Sequence, residues 1–547
     1  MIWLRTVDVG SVHTPLVGLH SRMGWDHPGP ALFYAMAPIL RLLDLRPTAL
    51  LVGSLLIAML STALSLVFVF RRAGFGAGLV LAVSLLVLTR GLGDLLIDPW
   101  PPYIVLLPVA LFTVATWLWS YGDSWMLPIA VVAGSFAAQT SIEVAALLLA
   151  LAATALGLRV GCAPRKVAAT ERAPLLCSAI LTIVLWTPPL RQQLAGKDGN
   201  LGNILMYFFG GHNPDPAVGW LMALRIAGRE FEPWGPWLGF HNDPSRPVTL
   251  GSLGLLVLPL GLILIAAVAG RYFRDHLMLH LVIIVAVGIT ACIYSYANIH
   301  GPAFGYLVQW SHVMTMFCVA LPFIILARQF ATLRRLSHQG AVVPTAAVIL
   351  IVLACQGVQS MVSEARDELG SRIYMKFWPA IERAIAPGET VRVTVSGPFF
   401  TVSSMGLAVM LIRAGRDPRL ENEWAFGGAQ GAGAHRVVDG NAVLPTLVLA
   451  SSNGVRTIGQ RANARLLASY DPLSPADRLE AQNLRDMLAQ QLHDVGREDL
   501  IASLDYGHEW MVAPAGVDQN ALRRFMSLAG GDRRRAYAVF LFPPTTW

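Results

Sequence analysis

Apolar residues along the chain gather into long runs that are separated by short polar segments. A helix needs about 20 mainly apolar residues to cross the hydrocarbon core of a membrane, with a range of about 17 to 25. The segment 31–43, ALFYAMAPILRLL, is shorter, so we expect an interfacial or re-entrant helix there. Runs near the spanning length predict ten spans, near residues 48–70, 76–90, 102–119, 124–140, 142–159, 173–190, 248–270, 277–296, 311–328 and 342–361.

Basic residues concentrate in four of the segments between these runs. The segments are RRAGFG from residue 71, RVGCAPRKVAATER from 159, RYFRD from 271 and RQFATLRRLSHQ from 328. If the ten spans alternate in direction, all four lie on one side, which the positive-inside rule makes cytoplasmic. The extracytoplasmic side then receives residues 1–47, the long loop 191–247 and everything after about 362.

The chain therefore divides into an outer loop with an interfacial helix (1–47), a transmembrane domain (48–361) and an extracytoplasmic domain (362–547). In the last domain TVRVTVSGPFF alternates like a strand and TVSSMGLAVMLIRAG follows like a helix, while LPTLVLASS, DYGHEWMVAP and RAYAVFLFPP predict further strands. The predicted fold class is mostly α: a polytopic helical membrane domain with a C-terminal extracytoplasmic α/β domain. No GxGxxG or P-loop pattern follows a strand, so nucleotide binding has no support.

Composition agrees with a multi-pass protein of the cell membrane. The 547 residues are 55% hydrophobic and 14% charged, with a mean hydropathy of +0.55, which is too apolar for a soluble protein of this length. The net charge of +7 comes largely from short loops where Lys and Arg set topology, so no nucleic-acid partner is expected. Five cysteines, none in the polar C-terminal region, indicate no disulfide framework and no zinc site.

The stretch HTPLVGLHSRMGWDHPGP, residues 13–30, places titratable and turn-forming residues before the first span. Asp8 lies just upstream, and the prolines force a sharp turn near Asp26. A carboxylate on such a loop could act as general base for an acceptor hydroxyl, while His13 or His27 orients it or engages a phosphate. The alternative is that Asp26 caps a turn and the histidines are ordinary interfacial residues.

Two acidic residues lie close together in GDLLIDPWPPYIVLLP. Asp94 and Asp98 are four residues apart, so a helix would place them on one face, where a cation or substrate would offset their repulsion. Alternatively the DPWPP turn separates them and Asp98 only caps, which we favour for Asp98.

Two further polar groups lie at predicted span ends. Glu143, in AAQTSIEVAA, could meet a lipid-linked substrate or an arginine, and the arginine is favoured. Arg191, in LWTPPLRQQLAGKDGNLGNILMYFF, stands on the outer side against the positive-inside trend. A cation there suits the phosphate of a lipid donor, although a lipid headgroup would explain it too.

These motifs together carry a family resemblance. An early aspartate followed by HPGP-ALFYAMAP, the DPWPP-YIVLLP segment, the QTS turn, the LWTPPLRQQL-GNL exit and an outer α/β region resemble the GT-C class of polytopic membrane glycosyltransferases. The chain is also similar, more narrowly, to an actinobacterial group of such proteins, distantly akin to arabinosyl-, mannosyl- and aminoarabinosyl-transferases. The resemblance covers the layout of most of residues 1–361.

The resemblance implies transfer of a sugar from a polyprenyl-phosphate donor to a glycan, lipid or protein acceptor outside the membrane, commonly with inversion. The catalytic acid of the class lies on the first outer loop, which matches Asp8, and a second acidic position maps to Asp94 or Asp98. His27 or Asp26 would contact acceptor or donor. The class normally begins with a span before its first outer loop, whereas seven residues precede Asp8 here.

By the same resemblance Arg191 would contact the donor phosphate, and outer carboxylates would suit a divalent cation, with no diagnostic ligand spacing. Two rival functions remain open: a lipid or polysaccharide transporter or flippase, and a non-catalytic envelope-assembly subunit. Transporters often carry repeats and mid-membrane charges, and here the charges cluster at one surface. The predicted catalytic residues are Asp8, Asp26 and Asp94, and the predicted substrate-binding residues are His13, His27, Asp98, Glu143 and Arg191.

Overall fold

The structure, a computed structural model, describes the chain except for residues 22, 163–171, 196–198, 211–214, 240–246, 330–338, 368, 398–400, 422–430, 439–441, 507–508, 530–534 and 546–547. The described residues divide into two compact units. The helical unit holds Ile2 and Thr6–Glu364, and the α/β unit holds Met1, Trp3–Arg5 and Ala365–Trp547.

Helices dominate the first unit, as its long apolar runs predict. Short 3₁₀ turns at Gly93–Leu96, Ile142–Val144 and Gln309–Ser311 join some of them. In chain order the helices are α1 (Ile2–Val7), α2 (Ala31–Leu42), α3 (Thr48–Ala73), α4 (Phe75–Leu92), α5 (Pro101–Ile104), α6 (Leu106–Ser120), α7 (Met126–Thr140), α8 (Ala145–Cys162), α9 (Arg172–Ala195), α10 (Asn200–Phe209), α11 (Trp220–Glu230), α12 (Val257–Tyr272), α13 (His276–Ala297), α14 (His312–Gln329) and α15 (Gln339–Asp367). Of these, α1 and α15 each include residues assigned to the α/β unit.

Within the described ranges, nine helical stretches are long and apolar enough to cross a membrane. Each overlaps one of the ten predicted spans, which makes the chain a multi-pass helical membrane protein. The nine are Thr48–Ala73, Phe75–Leu96, Pro101–Ser120, Ile142–Gly161, Arg172–Ala195, Leu253–Tyr272, His276–Ala297, Gln309–Gln329 and Val342–Ser363.

The tenth predicted span, 124–140, forms a shorter apolar helix. Helix α7 has 15 residues, fewer than the about 17 to 25 that a span takes, so the span length predicted here is wrong. It ends at Ser141, whose backbone is extended (φ −142°, ψ 113°) and cannot continue a helix. The segment 31–43 is confirmed as a short helix, α2, of 12 residues.

Contacts between loops bring the four basic segments to one end of the helical unit, the basic end. Arg72 lies 2.7 Å from Asp123, in the turn between α6 and α7. Arg159 donates to this same turn. Arg328 pairs with Asp275 at 2.7 Å and also donates to the last carbonyl of α3.

Small side chains let the helices of this unit approach closely. Helix α3 buries a face made largely of Gly, Ser, Thr and Ala, the residue types that allow close contact between membrane helices. A Cβ at Gly53 would lie 2.2 Å from the Met36 sulfur, and one at Gly76 would lie 2.6 Å from the Ala327 carbonyl oxygen. Helix α6 is buried along nearly its whole length and forms the centre of the packing.

The second unit contains one five-stranded sheet with strand order β2-β1-β3-β5-β4. Strands β2, β1 and β3 run parallel, and β5 pairs antiparallel with β3 and β4. The strands are β1 (Thr390–Ser396), β2 (Asp417–Leu420), β3 (Leu444–Ser451), β4 (Arg465–Tyr470) and β5 (Tyr537–Thr545). The helices are α16 (Leu369–Ala384), α17 (Thr401–Arg413), α18 (Asn453–Gly459), α19 (Pro475–Asp494), α20 (Ile501–Tyr506), α21 (Glu509–Val512) and α22 (Gln519–Ala529).

The predicted fold class is confirmed: a helical membrane domain and a C-terminal α/β domain. The predictions for β1, α17, β3 and β5 are also confirmed. The strand predicted at DYGHEWMVAP is wrong, because its described residues belong to α20, α21 and a 3₁₀ turn. Leu504 of α20 and Val512 of α21 are buried in one cluster with Leu488 and Phe525.

Candidate functional site

A short antiparallel turn before α2 carries two of the predicted site residues, Asp26 and His27. The N–H of Gly18 donates to the His27 carbonyl and the N–H of His27 donates to the Leu19 carbonyl, both at 2.8 Å. This pairing sets His20 opposite Asp26. Nδ1 of His20 lies 2.7 Å from Oδ1 of Asp26, and the two side chains are 10% and 32% exposed.

Asn200, the first residue of α10, fixes the backbone at Asp26. The Asp26 N–H donates to Oδ1 of Asn200 at 2.9 Å, and Nδ2 of Asn200 donates back to the Asp26 carbonyl at 2.8 Å. The Asn200 N–H donates to Oε1 of Gln192 at 3.0 Å. The backbone at Asp26 is therefore held by hydrogen bonds to α10, which is itself bonded to α9. These bonds fix the position of the partly exposed Asp26 carboxylate.

His27 is buried against the start of the 3₁₀ turn Ile142–Val144. Its Nδ1 accepts from the Ile142 N–H at 3.3 Å, which leaves the proton of a neutral imidazole on Nε2. Burial lowers the pKa of His27 below its usual 6.5, although the carboxylates of Glu143 and Asp26 oppose that shift. His27 is therefore neutral near pH 7 and offers an Nε2–H donor.

Glu143 lies close enough to His27 to affect its charge. The Ser141 hydroxyl donates to the Glu143 carboxylate, and the Ser295 hydroxyl donates to the Glu143 carbonyl at 3.2 Å. Among the described residues no arginine pairs with Glu143, and the interpretation of Glu143 as an arginine partner stays a prediction. His20, Asp26, His27 and Glu143 define the histidine end of the unit.

Close backbone packing joins this turn to the end of α7. A Cβ at Gly18 would lie 2.8 Å from the Gly29 carbonyl oxygen and 3.1 Å from that of Gln139. The Gly29 N–H donates to the Gln139 carbonyl at 3.2 Å, and Nε2 of Gln139 donates to the Leu185 carbonyl at 2.8 Å. The segment from Gln139 to Glu143, predicted as a polar turn, thus packs against the loop that carries Asp26 and His27.

Arg191 lies near the end of α9, one residue before Gln192. It is exposed and acts electrostatically on Tyr34 of α2, whose pKa is raised by burial and lowered in turn by this guanidinium. The Tyr34 hydroxyl donates to the Pro15 carbonyl at 2.8 Å. Arg191 therefore stands beside the same loop that carries His20 and Asp26.

Asp8 and His13 occupy the first part of that loop. Asp8 is buried, 5% exposed, in the turn after α1, where its carbonyl accepts from the Ser11 hydroxyl at 2.7 Å. His13 is exposed, and its N–H donates to the same hydroxyl at 3.0 Å. The roles predicted for Asp8 and His13 stay predictions.

Asp94 and Asp98 do not share a helical face. Asp94 is exposed in the 3₁₀ turn Gly93–Leu96, which ends before Asp98. Oδ1 of Asp98 accepts from the Trp100 N–H at 2.8 Å, so the favoured capping interpretation is confirmed. Burial raises the pKa of Asp98 despite this bond. In the described contacts no hydrogen bond or ion pair joins either residue to the histidine end.

An aromatic wall at this end was not predicted from the sequence. Trp25 lies edge-on to His27 at 5.7 Å between ring centroids and against Tyr207 of α10 at 5.7 Å. Tyr207 in turn contacts His300 at 5.5 Å. Rings of this kind commonly stack on sugars or lie at a membrane interface. The clue in the sequence was the apolar, aromatic run NILMYFF.

A second histidine–carboxylate pair lies deeper at the same end. Nε2 of His312, at the start of α14, lies 2.8 Å from Oε2 of Glu230, at the end of α11, with exposures of 2% and 1%. The Thr315 hydroxyl donates to the Glu230 carbonyl at 2.9 Å. No local pattern in the sequence points to this pair, because the two residues are 82 positions apart.

Metal binding receives no geometric support where the chain is described, since no group of three or more His, Cys, Asp or Glu side chains is arranged to hold an ion. What the histidine end can do is move a proton: a carboxylate and an imidazole share one hydrogen bond, and a neutral imidazole lies beside them. His20 was overlooked in the sequence because only the turn brings it opposite Asp26.

Comparisons with known proteins add the following. No protein-family model matches the chain, and no curated protein matches it. Similar solved structures include two crystal structures of ArnT from Cupriavidus metallidurans, one bound to undecaprenyl phosphate and one in the apo state. Each is 12% identical, over 85% of this chain and 94% of the ArnT chain, with TM-scores of 0.47 and 0.46. The family predicted from the sequence motifs stays a prediction.

Proposed function

We propose that the protein is a membrane glycosyltransferase that moves a sugar from a polyprenyl-phosphate donor to a cell-envelope acceptor. The observation that carries the proposal is the His20–Asp26 pair, fixed at one end of a multi-pass helical domain. Activation of an acceptor hydroxyl needs a general base, and a lipid-linked donor reaches such a base without leaving the membrane.

The reaction is a single displacement at the anomeric carbon. The acceptor oxygen forms the new bond to that carbon as the bond to the phosphate oxygen breaks, and the hydroxyl proton passes to the His20–Asp26 pair. Because the two groups share a hydrogen bond, the carboxylate stabilises the imidazolium that proton uptake forms. Polyprenyl phosphate leaves with the negative charge.

The leaving phosphate needs compensation for that charge. Arg191 supplies a guanidinium beside the loop, and guanidinium groups bind phosphate through paired hydrogen bonds. His27 contributes an Nε2–H donor without a positive charge of its own, since its pKa is lowered. Glu143 faces the same imidazole and keeps it oriented.

Asp8 is the base that the family resemblance predicts, so two carboxylates compete for this role. We assign the role to Asp26 because it is 32% exposed and hydrogen-bonded to an imidazole, whereas Asp8 is 5% exposed. A carboxylate must reach the acceptor hydroxyl within hydrogen-bond distance to act as base.

The test uses the purified full-length protein in lipid nanodiscs with a panel of polyprenyl-phosphate sugars. Release of polyprenyl phosphate is measured for the wild type, Asp26→Asn, His20→Gln and Asp8→Asn. We expect the first two variants to lose turnover while still retaining the lipid donor. Loss in Asp8→Asn alone would transfer the role of base to Asp8.

Absence of release with every donor would reject the transferase. Donor movement between leaflets of a vesicle without sugar transfer would instead support a flippase, and donor binding without either activity would support an assembly subunit. These three outcomes separate the proposal from its two rivals.

The proposal also includes an orientation, in which the histidine end and the C-terminal α/β domain face outward. Its support is the collection of basic segments at the opposite end, which the positive-inside rule directs to the cytoplasm. Cysteine labelling of intact cells at exposed His13 and exposed Arg71 tests it. Labelling at position 71 but not at 13 would reverse the orientation.

A further inference from the structure

A cavity of about 250 Å³ opens at the basic end, away from the residues of the proposed reaction. It lies between the last turns of α3 and the turn that joins α6 to α7. On α3 the contributing residues are three and four positions apart and therefore share one helical face. The cavity is lined by Phe68, Arg71, Arg72, Asp123, Trp125 and Met126.

The charges around the cavity leave one cation available. Arg72 is paired with Asp123 at 2.7 Å, and the other carboxylate of this end, Asp275, is paired with Arg328. Arg159 uses its guanidinium on the carbonyl and hydroxyl groups of the α6–α7 turn. In the described part of the chain Arg71 has no ion pair or side-chain hydrogen bond, and it is exposed.

The rest of the cavity is apolar and aromatic. Phe68 lies one turn before Arg71, and Met126 is the first residue of α7. Trp125 is 57% exposed, at a level where indole rings commonly sit between headgroups and acyl chains. A free phosphate ion would use the guanidinium alone, whereas a phospholipid would use the guanidinium, the indole and the apolar wall together.

We propose that this cavity binds the headgroup phosphate of an anionic phospholipid from the leaflet at the basic end. Arg71 donates paired hydrogen bonds to the phosphate oxygens. Trp125 packs beside the glycerol backbone, and Phe68 contacts the upper part of an acyl chain. The Arg72–Asp123 pair forms the rim and holds the α6–α7 turn against α3, which keeps the cavity open.

The anionic class follows from the charge balance. A zwitterionic headgroup brings a cation of its own close to the phosphate, where Arg71 would repel it. Basic cavities between membrane helices on the cytoplasmic side are suited to anionic headgroups, because the anionic lipids of that leaflet give it a negative surface potential that attracts basic groups. The site rests on the proposed orientation but not on sugar transfer, so a failure of the transferase test leaves it standing.

The experiment measures lipid retention by the full-length protein with native mass spectrometry after delipidation and titration. The probes are phosphatidylglycerol, phosphatidylcholine, inorganic phosphate and glycerol phosphate. We expect phosphatidylglycerol to be retained at least fivefold better than phosphatidylcholine, and Arg71→Gln to lose that preference. Neither inorganic phosphate nor glycerol phosphate should displace the lipid at equal concentration.

Arg271→Gln is the matched control, because Arg271 is exposed at the same end and lies outside the cavity. It should keep the preference for phosphatidylglycerol. Equal loss in both variants would show diffuse attraction and overturn the proposal, as would an unchanged preference in Arg71→Gln. Displacement by inorganic phosphate would overturn the lipid assignment in favour of a free-phosphate site.

A second measurement uses Trp125. Brominated phosphatidylglycerol should quench its fluorescence, taken as the difference between the wild type and Trp125→Phe, and this quenching should decrease in Arg71→Gln. Equal quenching with and without Arg71 would mean that the indole meets bulk lipid and no bound headgroup, which contradicts the site. Unfolding temperatures of all variants check that the fold is retained.

Discussion

The two ends of the helical unit hold their carboxylates in different ways. At the basic end Asp123 and Asp275 are each paired with an arginine at 2.7 Å. At the histidine end Asp26 and Glu230 are each paired with an imidazole, at 2.7 and 2.8 Å. Arginine stays charged throughout the pH range in which proteins are folded, whereas histidine gains and loses its proton near neutrality.

The two kinds of pair differ in what they can do: one holds loops together, and the other can transfer a proton. A guanidinium–carboxylate pair cannot pass a proton at neutral pH, so it serves to hold loops together. An imidazole–carboxylate pair can take up a proton and release it, as a general base must. The basic end therefore fixes the ends of the helices, and the histidine end is where proton transfer is feasible.

The largest expected effect comes from neutralising one carboxylate at each end. Asp26→Asn should lower the rate of sugar transfer by about 10²- to 10⁴-fold, the usual contribution of a general base. Asp123→Asn, its control at the basic end, should change that rate by no more than about twofold, since a surface ion pair contributes little. Equal losses in steady-state turnover would contradict the division between the ends.

Removal of the partner of a carboxylate should have the next largest effect. His312→Ala leaves the buried Glu230 carboxylate without its partner, and loss of one member of a buried pair costs about 3–5 kcal/mol. Arg72→Ala removes a 59% exposed partner and should cost about 0–1 kcal/mol. Denaturant unfolding of both variants in the same detergent measures the two changes in the free energy of unfolding. Similar changes would show that Glu230 is better solvated than its burial implies.

Alanine substitution of one closely packed glycine at each end extends the comparison. A Cβ at Gly18 would press on the Gly29 carbonyl at the histidine end, and one at Gly76 would press on the Ala327 carbonyl at the basic end. Both Gly→Ala changes should cost about 1–3 kcal/mol. Only Gly18→Ala should also lower turnover, because it displaces the turn that carries His27. An equal reduction of turnover in Gly76→Ala would contradict the placement of the reaction at the histidine end.

The smallest expected effect is a pH dependence at His27. Its folded pKa lies below the 6.5 of the unfolded chain, so the unfolded state binds more protons as the pH falls below 6.5. The stabilising contribution of neutral His27 is thus present above pH 6.5 and is lost on acidification. His27→Gln should flatten this slope in unfolding measurements between pH 5 and about 7, whereas Asp275→Asn should leave it unchanged.

Much of the helical unit could be predicted because a membrane helix can be recognised from a local stretch of sequence. A run of apolar residues suffices, and nine of the ten predicted spans correspond to helices of spanning length. The edge strands β2 and β4 were missed for the opposite reason. DPRL and RLLASY lie at the edges of the sheet, and neither sequence alternates apolar and polar residues as a half-buried strand does.

The candidate site is formed by contacts between residues far apart in the sequence, and no local sequence pattern predicts such contacts. Asp26 and His27 were predicted from the loop itself, but the residues that fix them are far away in sequence. Asn200 lies 174 positions from Asp26, and Ile142 lies 115 positions from His27. Of the two alternatives for Asp94 and Asp98, the structure supports the separating turn, because the 3₁₀ turn that carries Asp94 ends before the proline-rich segment.

The shortness of α7 has a consequence for where the reaction would take place. Its residues before and after contact the basic end and the histidine end, and 15 residues rise by about 22 Å in all. The hydrocarbon layer is about 30 Å thick. With the basic end at the bilayer surface, His27 and Asp26 would then lie roughly 8 Å inside the opposite boundary of the hydrocarbon layer. Under the proposed function, the acceptor would have to reach that depth, and the sugar would stay at the depth of its lipid carrier during transfer.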